Sequence, residues 1–153
     1  MIGVPAFAGM HGEGAGPLRG HAMTRTASCS CGQLSAACEG EPIRVSVCHC
    51  LACQRRTGSA FAAQSSWPAE QVTLTGASAT YERSSDEGRW ARFHFCPACG
   101  ATVHFEIQAR PGFVSVPLGA FADPAFSEPT FSVYESRAHP WVRIETRGPL
   151  LRD

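Results

Sequence analysis

Apolar and polar residues along this chain alternate with a period of two far more often than they recur every three or four. In 102–107, Val103, Phe105 and Ile107 alternate with His104 and Glu106; in 90–95, Trp90, Arg92 and His94 alternate with Ala91, Phe93 and Phe95. Successive side chains of a strand project to opposite faces, so this is the pattern of half-buried strands. The same pattern predicts strands at 33–39, 44–47, 61–67 (stopped by Pro68), 72–75, 79–83, 113–118 and 130–134, with the turn-like Gly76-Ala77-Ser78 between two of them. No segment carries a long apolar stripe at helical spacing, and 50–57 has room for one or two helical turns. The prediction is a mostly β, mainly antiparallel single domain.

Composition narrows the picture. At 153 residues, 44% of them hydrophobic, the chain can bury one ordinary core. Its 13 basic and 13 acidic residues give a formal net charge of zero. Nucleic-acid binders usually carry a basic excess or stripe, so no nucleic-acid partner is expected. No stretch approaches the roughly 20 apolar residues that cross a bilayer. Residues 1–22 are rich in Gly, Ala and Pro and contain no Cys. They lack the basic start and unbroken apolar run of a signal peptide. This segment is expected to be a disordered or non-native extension, with Met23 as a possible start and the folded domain spanning 23–153.

The chemistry lies in the cysteines. Seven of the eight fall into three clusters: Cys29-Ser30-Cys31-Gly32, Cys48-His49-Cys50-Leu51-Ala52-Cys53 and Cys96-Pro97-Ala98-Cys99-Gly100. A disulfide framework suits them poorly, because cysteines two or three apart are badly placed to bridge each other. The lack of a secretory signal points the same way, to a reducing, cytoplasmic setting. Tight pairs suit a metal. In a strand, Cys29 and Cys31 would project to one side. In the Cys96–Cys99 knuckle, Gly100 can take the positive φ needed after the second ligand, and Gly32 can do so after Cys31. A structural zinc takes four ligands, whereas a reactive one keeps three and an open position. Two pairs and a trio therefore suggest four plus three; the opposite division, the trio with one cysteine of a pair, leaves a lone sulfur and is less economical. Cys29, Cys31, Cys96 and Cys99 would hold a structural zinc, and Cys48, Cys50 and Cys53 a second zinc with a vacancy. Thiolates also hold iron–sulfur clusters or copper(I), although the spacing lacks ferredoxin signatures.

These clusters, with Arg56-Thr57-Gly58 after the second, Phe95 before the third and a late Pro140-Trp141, resemble the glutathione-dependent formaldehyde-activating enzyme family, which includes the centromere protein V domain. The resemblance runs from about Ser28 to Trp141. It implies a β-tent fold, with antiparallel sheets meeting near the four-cysteine zinc, and the same division of ligands over two zinc ions per chain. It also implies the family's reaction: glutathione adds to formaldehyde, giving S-hydroxymethylglutathione, in the class of carbon–sulfur lyases. Neither the extension nor Cys38 belongs to the motif. Family membership fixes metal and fold better than reaction, so a zinc-stabilised glutathione carrier or binding module without catalysis is the second expectation.

A three-thiolate zinc with an open position suits a thiol substrate, because coordination deprotonates the thiol. The expected partners are a small thiol such as glutathione and a small aldehyde. The sequence names no catalytic residue, but His49, Arg55, Arg56 and Thr57 are the donors nearest the trio. His94 and His104 read as outward-facing strand positions, or as hydrogen-bond partners of the neighbouring cluster. Trp67, Trp90, Trp141 and the nine Phe read as core, and Cys38 as a buried thiol. The ligand count predicts about two zinc per chain in protein purified under reducing conditions. Elemental analysis returning one zinc, or iron with acid-labile sulfide, contradicts that scheme.

Overall fold

The computed structural model describes residues 23–85 and 87–153. The expectation for residues 1–22 lies outside the described residues. Eleven strands and a single α-helix are present among the described residues, in two sheets. The smaller sheet is antiparallel, with strands β1 (Thr24–Ser28), β2 (Ser35–Glu39) and β5 (Val72–Thr75) in the order β1-β2-β5. The larger sheet contains β3 (Arg44–Cys48), β4 (Ala62–Pro68), β6 (Ala79–Ser84), β7 (Trp90–Phe95), β8 (Thr102–Ile107), β9 (Phe113–Pro117), β10 (Phe131–Val133) and β11 (Leu151–Arg152). Their order is β11-β10-β3-β4-β9-β8-β7-β6. Helix α1 (Leu51–Thr57) follows β3 directly. No helix among the described residues is long and apolar enough to cross a membrane.

The mostly β, single-domain fold expected from the alternation is the fold found. It differs from expectation in three places. The larger sheet is mixed, because β10 runs parallel to both β3 and β11. β5 and β6 do not form a hairpin across Gly76: β5 joins the small sheet and β6 the large one. β1 and β11 were not predicted. β1 lacks an apolar alternation and is recruited by backbone pairing with β2, with Ala27 opposite Ala36.

Alternation along the central strands separates two environments. One face carries Trp67, Val114 and Val116, which pack with Ala27, Leu34, Ala36 and Cys38 of the small sheet and its loops into the main core. Trp67 is fully buried, and its indole N–H donates to Ser65 Oγ at 2.9 Å, so no donor is stranded. Cys38 is fully buried there, and burial pushes its thiol up to about 11. The other face turns Arg44, Ser46 and Cys48 of β3, Gln64 and Ser66 of β4, and Phe105 of β8 toward an open cavity. Trp141, expected in the core, is exposed.

The segment between β5 and β6, which passes from one sheet to the other, is tied to the turn after β1. Gly76 has φ of +98° and lies so close to Gln33 that an added Cβ would sit 1.8 Å from the Gln33 carbonyl oxygen. The Gln33 side chain closes the contact, donating to Ala77 O at 2.8 Å and accepting from Ala77 N at 3.1 Å. Gly76→Ala is expected to cost more than about 1 kcal/mol, since both φ and space are wrong for a side chain. Thermal melting should show a fall of several degrees, and a midpoint equal to wild type would mean the loop moves freely.

Candidate metal centres and the adjoining cavity

Two turns of similar design bring four cysteines together. In the first, Cys29 N donates to Leu34 O at 2.9 Å and Gly32 N to Cys29 O at 3.0 Å. In the second, Cys96 N donates to Ala101 O at 3.0 Å and Gly100 N to Cys96 O at 2.8 Å. Both glycines have the positive φ expected of them, +81° and +75°. Cys29 and Cys31 lie in the turn after β1, not in a strand, so it is the turn that aims their sulfurs together. A register shift between His94 and Phe95 precedes the second turn and redirects the chain into it.

The sulfurs converge across the fold. Cys31 Sγ is 3.6 Å from Cys29 Sγ and 3.5 Å from Cys96 Sγ, and all four ligand atoms of Cys29, Cys31, Cys96 and Cys99 lie within 4.8 Å of one another. Tetrahedral zinc at about 2.3 Å from each sulfur would hold sulfurs about 3.8 Å apart, so the set fits that ion. Gln33 Nε2 donates to Cys96 Sγ at 2.9 Å and Leu34 N to Cys29 Sγ at 3.3 Å. Such donors favour thiolate and orient it. Burial pushes the Cys96 thiol up, but bonds from Gln33 and the backbone of Cys99 and Ala98 outweigh it and hold it down to about 6. For Cys31 a backbone bond at Gln33 pulls down, yet the sulfurs of Cys96 and Cys29 carry it up to about 11. Sulfurs this close cannot all ionise without a cation among them.

The trio is built from adjacent residues. Cys48 ends β3, Cys50 caps α1, and Cys53 lies in its first turn, with Cys53 N donating to Cys50 Sγ at 3.3 Å. Their sulfurs also lie within 4.8 Å of one another. Hydrogen bonds from the Cys48 and Cys53 thiols hold Cys50 well below the usual thiol range, and the charge of Arg83 acts in the same direction. The sulfurs of Cys50 and Cys53, together with burial, push Cys48 far up. Cys53 is raised on balance: the Cys48 thiol pulls it down, Cys50 and burial push it up, and Arg56 opposes with a smaller downward pull. Three sulfurs this close oppose one another's ionisation, and a dication among them would release their protons. Two guanidiniums act on the cluster, Arg56 from α1 on Cys53 and Arg83 from β6 on Cys50.

The trio opens onto a cavity of about 390 Å³. Ser46, Gln64, Ser66 and Ser115 supply polar groups, and Phe93, Phe105 and Ile107 an apolar wall. Arg44, Arg83, Arg89 and Arg110 also line it. Glu87 is the one acidic side chain among the described lining residues, and it pairs with Arg89.

None of the four donors expected from sequence lines this cavity. His49 is buried and turned away: its Nε2 lies 3.2 Å from Ser132 Oγ, Ser132 donates to Glu135, and Arg152 Nη1 donates to Glu135 Oε1 at 2.7 Å. Arg55 is exposed. The Arg56 guanidinium sits 5.1 Å from the ring centroids of both Phe93 and Phe105. Thr57 Oγ1 donates to Cys53 O at 2.9 Å and closes the helix. Arg83 does line the cavity and was missed. It comes from a strand distant in sequence, and only its place opposite Ala91 on the cavity face marks it.

A third group, His94, His104 and Glu106, has its ligand atoms within 4.8 Å of one another. His104 is buried and His94 largely so, which corrects their reading as outward-facing. Their rings stack at 4.2 Å with 12° between planes. Nearly parallel rings direct their lone pairs along parallel planes and not at one point, so this is a packing pair. Burial lowers the pKa of both, that of His104 to about 4 with help from His94.

Over residues 24–137 the chain matches the family described as glutathione-dependent formaldehyde-activating enzyme. The chain belongs to this family. The match opens at β1 and contains all seven clustered cysteines, and it stops before Pro140-Trp141. No curated protein matches the chain. A crystal structure of a Rhodobacter sphaeroides protein is similar in fold, with a TM-score of 0.50 and 20% identity over 62% of this chain and 85% of that one.

The two clusters should respond differently to substitution. Cys96→Ser breaks a link between segments far apart in sequence, and a crosslink over a long loop constrains the unfolded chain most. It should lose cooperative melting. Cys50→Ser removes a link within a short loop and should fold, while losing about one metal per chain. Circular dichroism and zinc analysis on both variants decide the matter; equal unfolding would make the trio structural.

Proposed function

We propose that this protein is a zinc-dependent carbon–sulfur lyase acting on a thiol–aldehyde adduct, formed from glutathione and formaldehyde or a related aldehyde. Cys29, Cys31, Cys96 and Cys99 would hold a structural zinc, and Cys48, Cys50 and Cys53 a second zinc open to substrate. The observation that carries this reading is the position of the trio: three thiols meet at a cavity large enough for a small-molecule ligand and rich in cations. Zinc at the trio would supply a Lewis-acidic position that holds a thiol as thiolate at neutral pH.

The chain's own residues supply the rest. Phe93, Phe105 and Ile107 exclude water from one side of the cavity and strengthen electrostatic interactions within it. In the synthetic direction a C–S bond forms between the sulfur and the carbonyl carbon. The carbonyl oxygen gains the charge and takes up the proton that the thiol gave up; the lyase direction reverses both changes. Arg83, which faces the cavity and acts on Cys50, is placed to donate to that oxygen as it becomes anionic. Eight free cysteines suit a reducing compartment such as the cytoplasm.

The test follows exchange between glutathione, formaldehyde and their adduct by NMR, against the uncatalysed rate. Zinc-loaded protein should accelerate exchange, and Arg83→Gln should lower the acceleration on the order of 10²-fold while thiol binding persists. Tight glutathione binding with no acceleration would identify a carrier instead.

A further inference from the structure

Addition of a thiol to an aldehyde ends with a proton on oxygen, and Arg83 cannot supply it. A guanidinium holds a developing negative charge but does not give up a proton in a protein. Among the described residues around the cavity, few other groups qualify. His49 is turned away toward Ser132, and Glu87 is a carboxylate already paired with Arg89. Hydroxyls remain: Ser46, Ser66, Ser85, Ser115 and the phenol of Tyr134. Ser66 and Ser115 are engaged with each other at 3.3 Å, and aliphatic hydroxyls are the weaker acids. A phenol is the hydroxyl suited to general acid catalysis.

Tyr134 is set beside the trio by the parallel strand. In the β10–β3 ladder Val133 stands opposite Cys48, and Val133 O accepts the His49 N–H at 3.0 Å. Neighbouring strands lie about 4.8 Å apart. Tyr134 is the next residue, so its backbone runs beside the peptides that join Cys48 to Cys50. Its side chain is exposed and lines the same cavity as Cys48, Cys50 and Cys53.

The conformation of Tyr134 is imposed on it. Its φ and ψ are +58° and +44°, and among the described residues Ala122 is the only other non-glycine with positive φ. Neighbours on both sides hold it there. Upstream, Ser132 meets the His49 ring and Val133 the His49 backbone. Downstream, Ser132 and Arg152 grip Glu135, and Arg137 N closes a turn on Tyr134 O at 3.0 Å. The Arg137 guanidinium lies 5.5 Å from the ring centroid. A bulky residue stays left-handed only where its surroundings over-determine it, and such residues gather at functional sites.

We propose that Tyr134 is the catalytic acid of C–S bond formation and, in reverse, the base of C–S cleavage. This rests on the reading that a thiol adds to an aldehyde at the trio. The sulfur electron pair forms the C–S bond, the C=O π pair moves to oxygen, and that oxygen takes the phenolic proton. Water returns a proton to the tyrosinate and has received the one the thiol lost on binding, so none is gained overall. In the lyase direction the tyrosinate takes the hydroxyl proton as the C–S bond breaks. Arg83 holds the charge and Tyr134 moves the proton.

The test uses Tyr134→Phe and Tyr134→Gly in the zinc-loaded protein, with the NMR exchange measurement and calorimetric glutathione titration. Tyr134→Phe keeps the ring and should slow exchange on the order of 10²-fold while glutathione affinity stays at the wild-type value. Tyr134→Gly suits the left-handed backbone and vacates the ring's place, so added phenol should restore part of its lost rate and none of that lost by Tyr134→Phe. A readout independent of rate comes from the tyrosine count, since the chain has two and the other, Tyr81, does not line the cavity. With 3-fluorotyrosine at both positions, S-hydroxymethylglutathione should shift the Tyr134 fluorine resonance and leave that of Tyr81 in place. Wild-type exchange in Tyr134→Phe, or a Tyr134 resonance unmoved by the bound adduct, overturns the acid and leaves the lyase reading intact. Absence of acceleration by wild type overturns both.

Discussion

Everything in this fold depends on crowding sulfur from two distant turns into one small volume. Cys31 and Cys96 are 65 residues apart in sequence, yet their sulfurs lie 3.5 Å apart. Thiols alone give little reason for such an approach, since a second ionisation beside the first is strongly opposed. The surrounding structure is arranged to permit it. Gln33 divides its amide between Ala77 and Cys96, tying the first turn to the start of β6 and to the second turn. Gly76 lacks the side chain that would push these parts away from each other. The small sheet then lies against Trp67, Val114 and Val116, and the main core closes around the same junction.

The second sulfur cluster shows a different economy. It needs no distant segment, because a strand end, a helix cap and a first helical turn supply it within six residues. Its electrostatic surroundings are only partly local: Arg56, on the same helix, is held against two phenylalanine rings, whereas Arg83 arrives from the far edge of the large sheet. The three cysteines are thus local, while Arg83 reaches them only through tertiary structure. That division leaves the cysteines fixed while ligand preference can change with the strands around the cavity.

How much was legible in the sequence follows from the same division. Spacing within clusters is local, so the grouping of sulfurs and the positive φ of the glycines after each pair could be read directly. Alternation placed most strands, since one face of each is buried. β1 was not legible, because Thr24–Ser28 is a strand through its partner and not through its own pattern. Trp141 was assigned to the core on residue type, but no element among the described residues covers it. His94 and His104 read as surface positions because polar residues usually are; stacking lets them be buried as neutral rings. The cavity arginines were unreadable in another sense. A strand at 44–47 was expected without a role for Arg44, and Arg83 and Arg110 acquire meaning only once the β6 to β9 strands have closed on β4.

The parallel strand β10 has a consequence for how the molecule is made. Val133 O accepts the His49 backbone N–H at 3.0 Å, and Ser132 meets the His49 ring, so the peptide between Cys48 and Cys50 is fixed by residues far downstream. β11 pairs with β10 in turn, and Arg152, at the surface, ends the chain that runs from buried His49 and Ser132 through Glu135. Synthesis proceeds from the amino end, so residues 48–53 are translated long before the segment that holds their backbone. On the nascent chain these three thiols are unshielded and accessible to oxidants or stray metal ions until that segment emerges. A cell making this protein quickly would depend on its thiol-reducing and metal-buffering systems during translation more than afterwards.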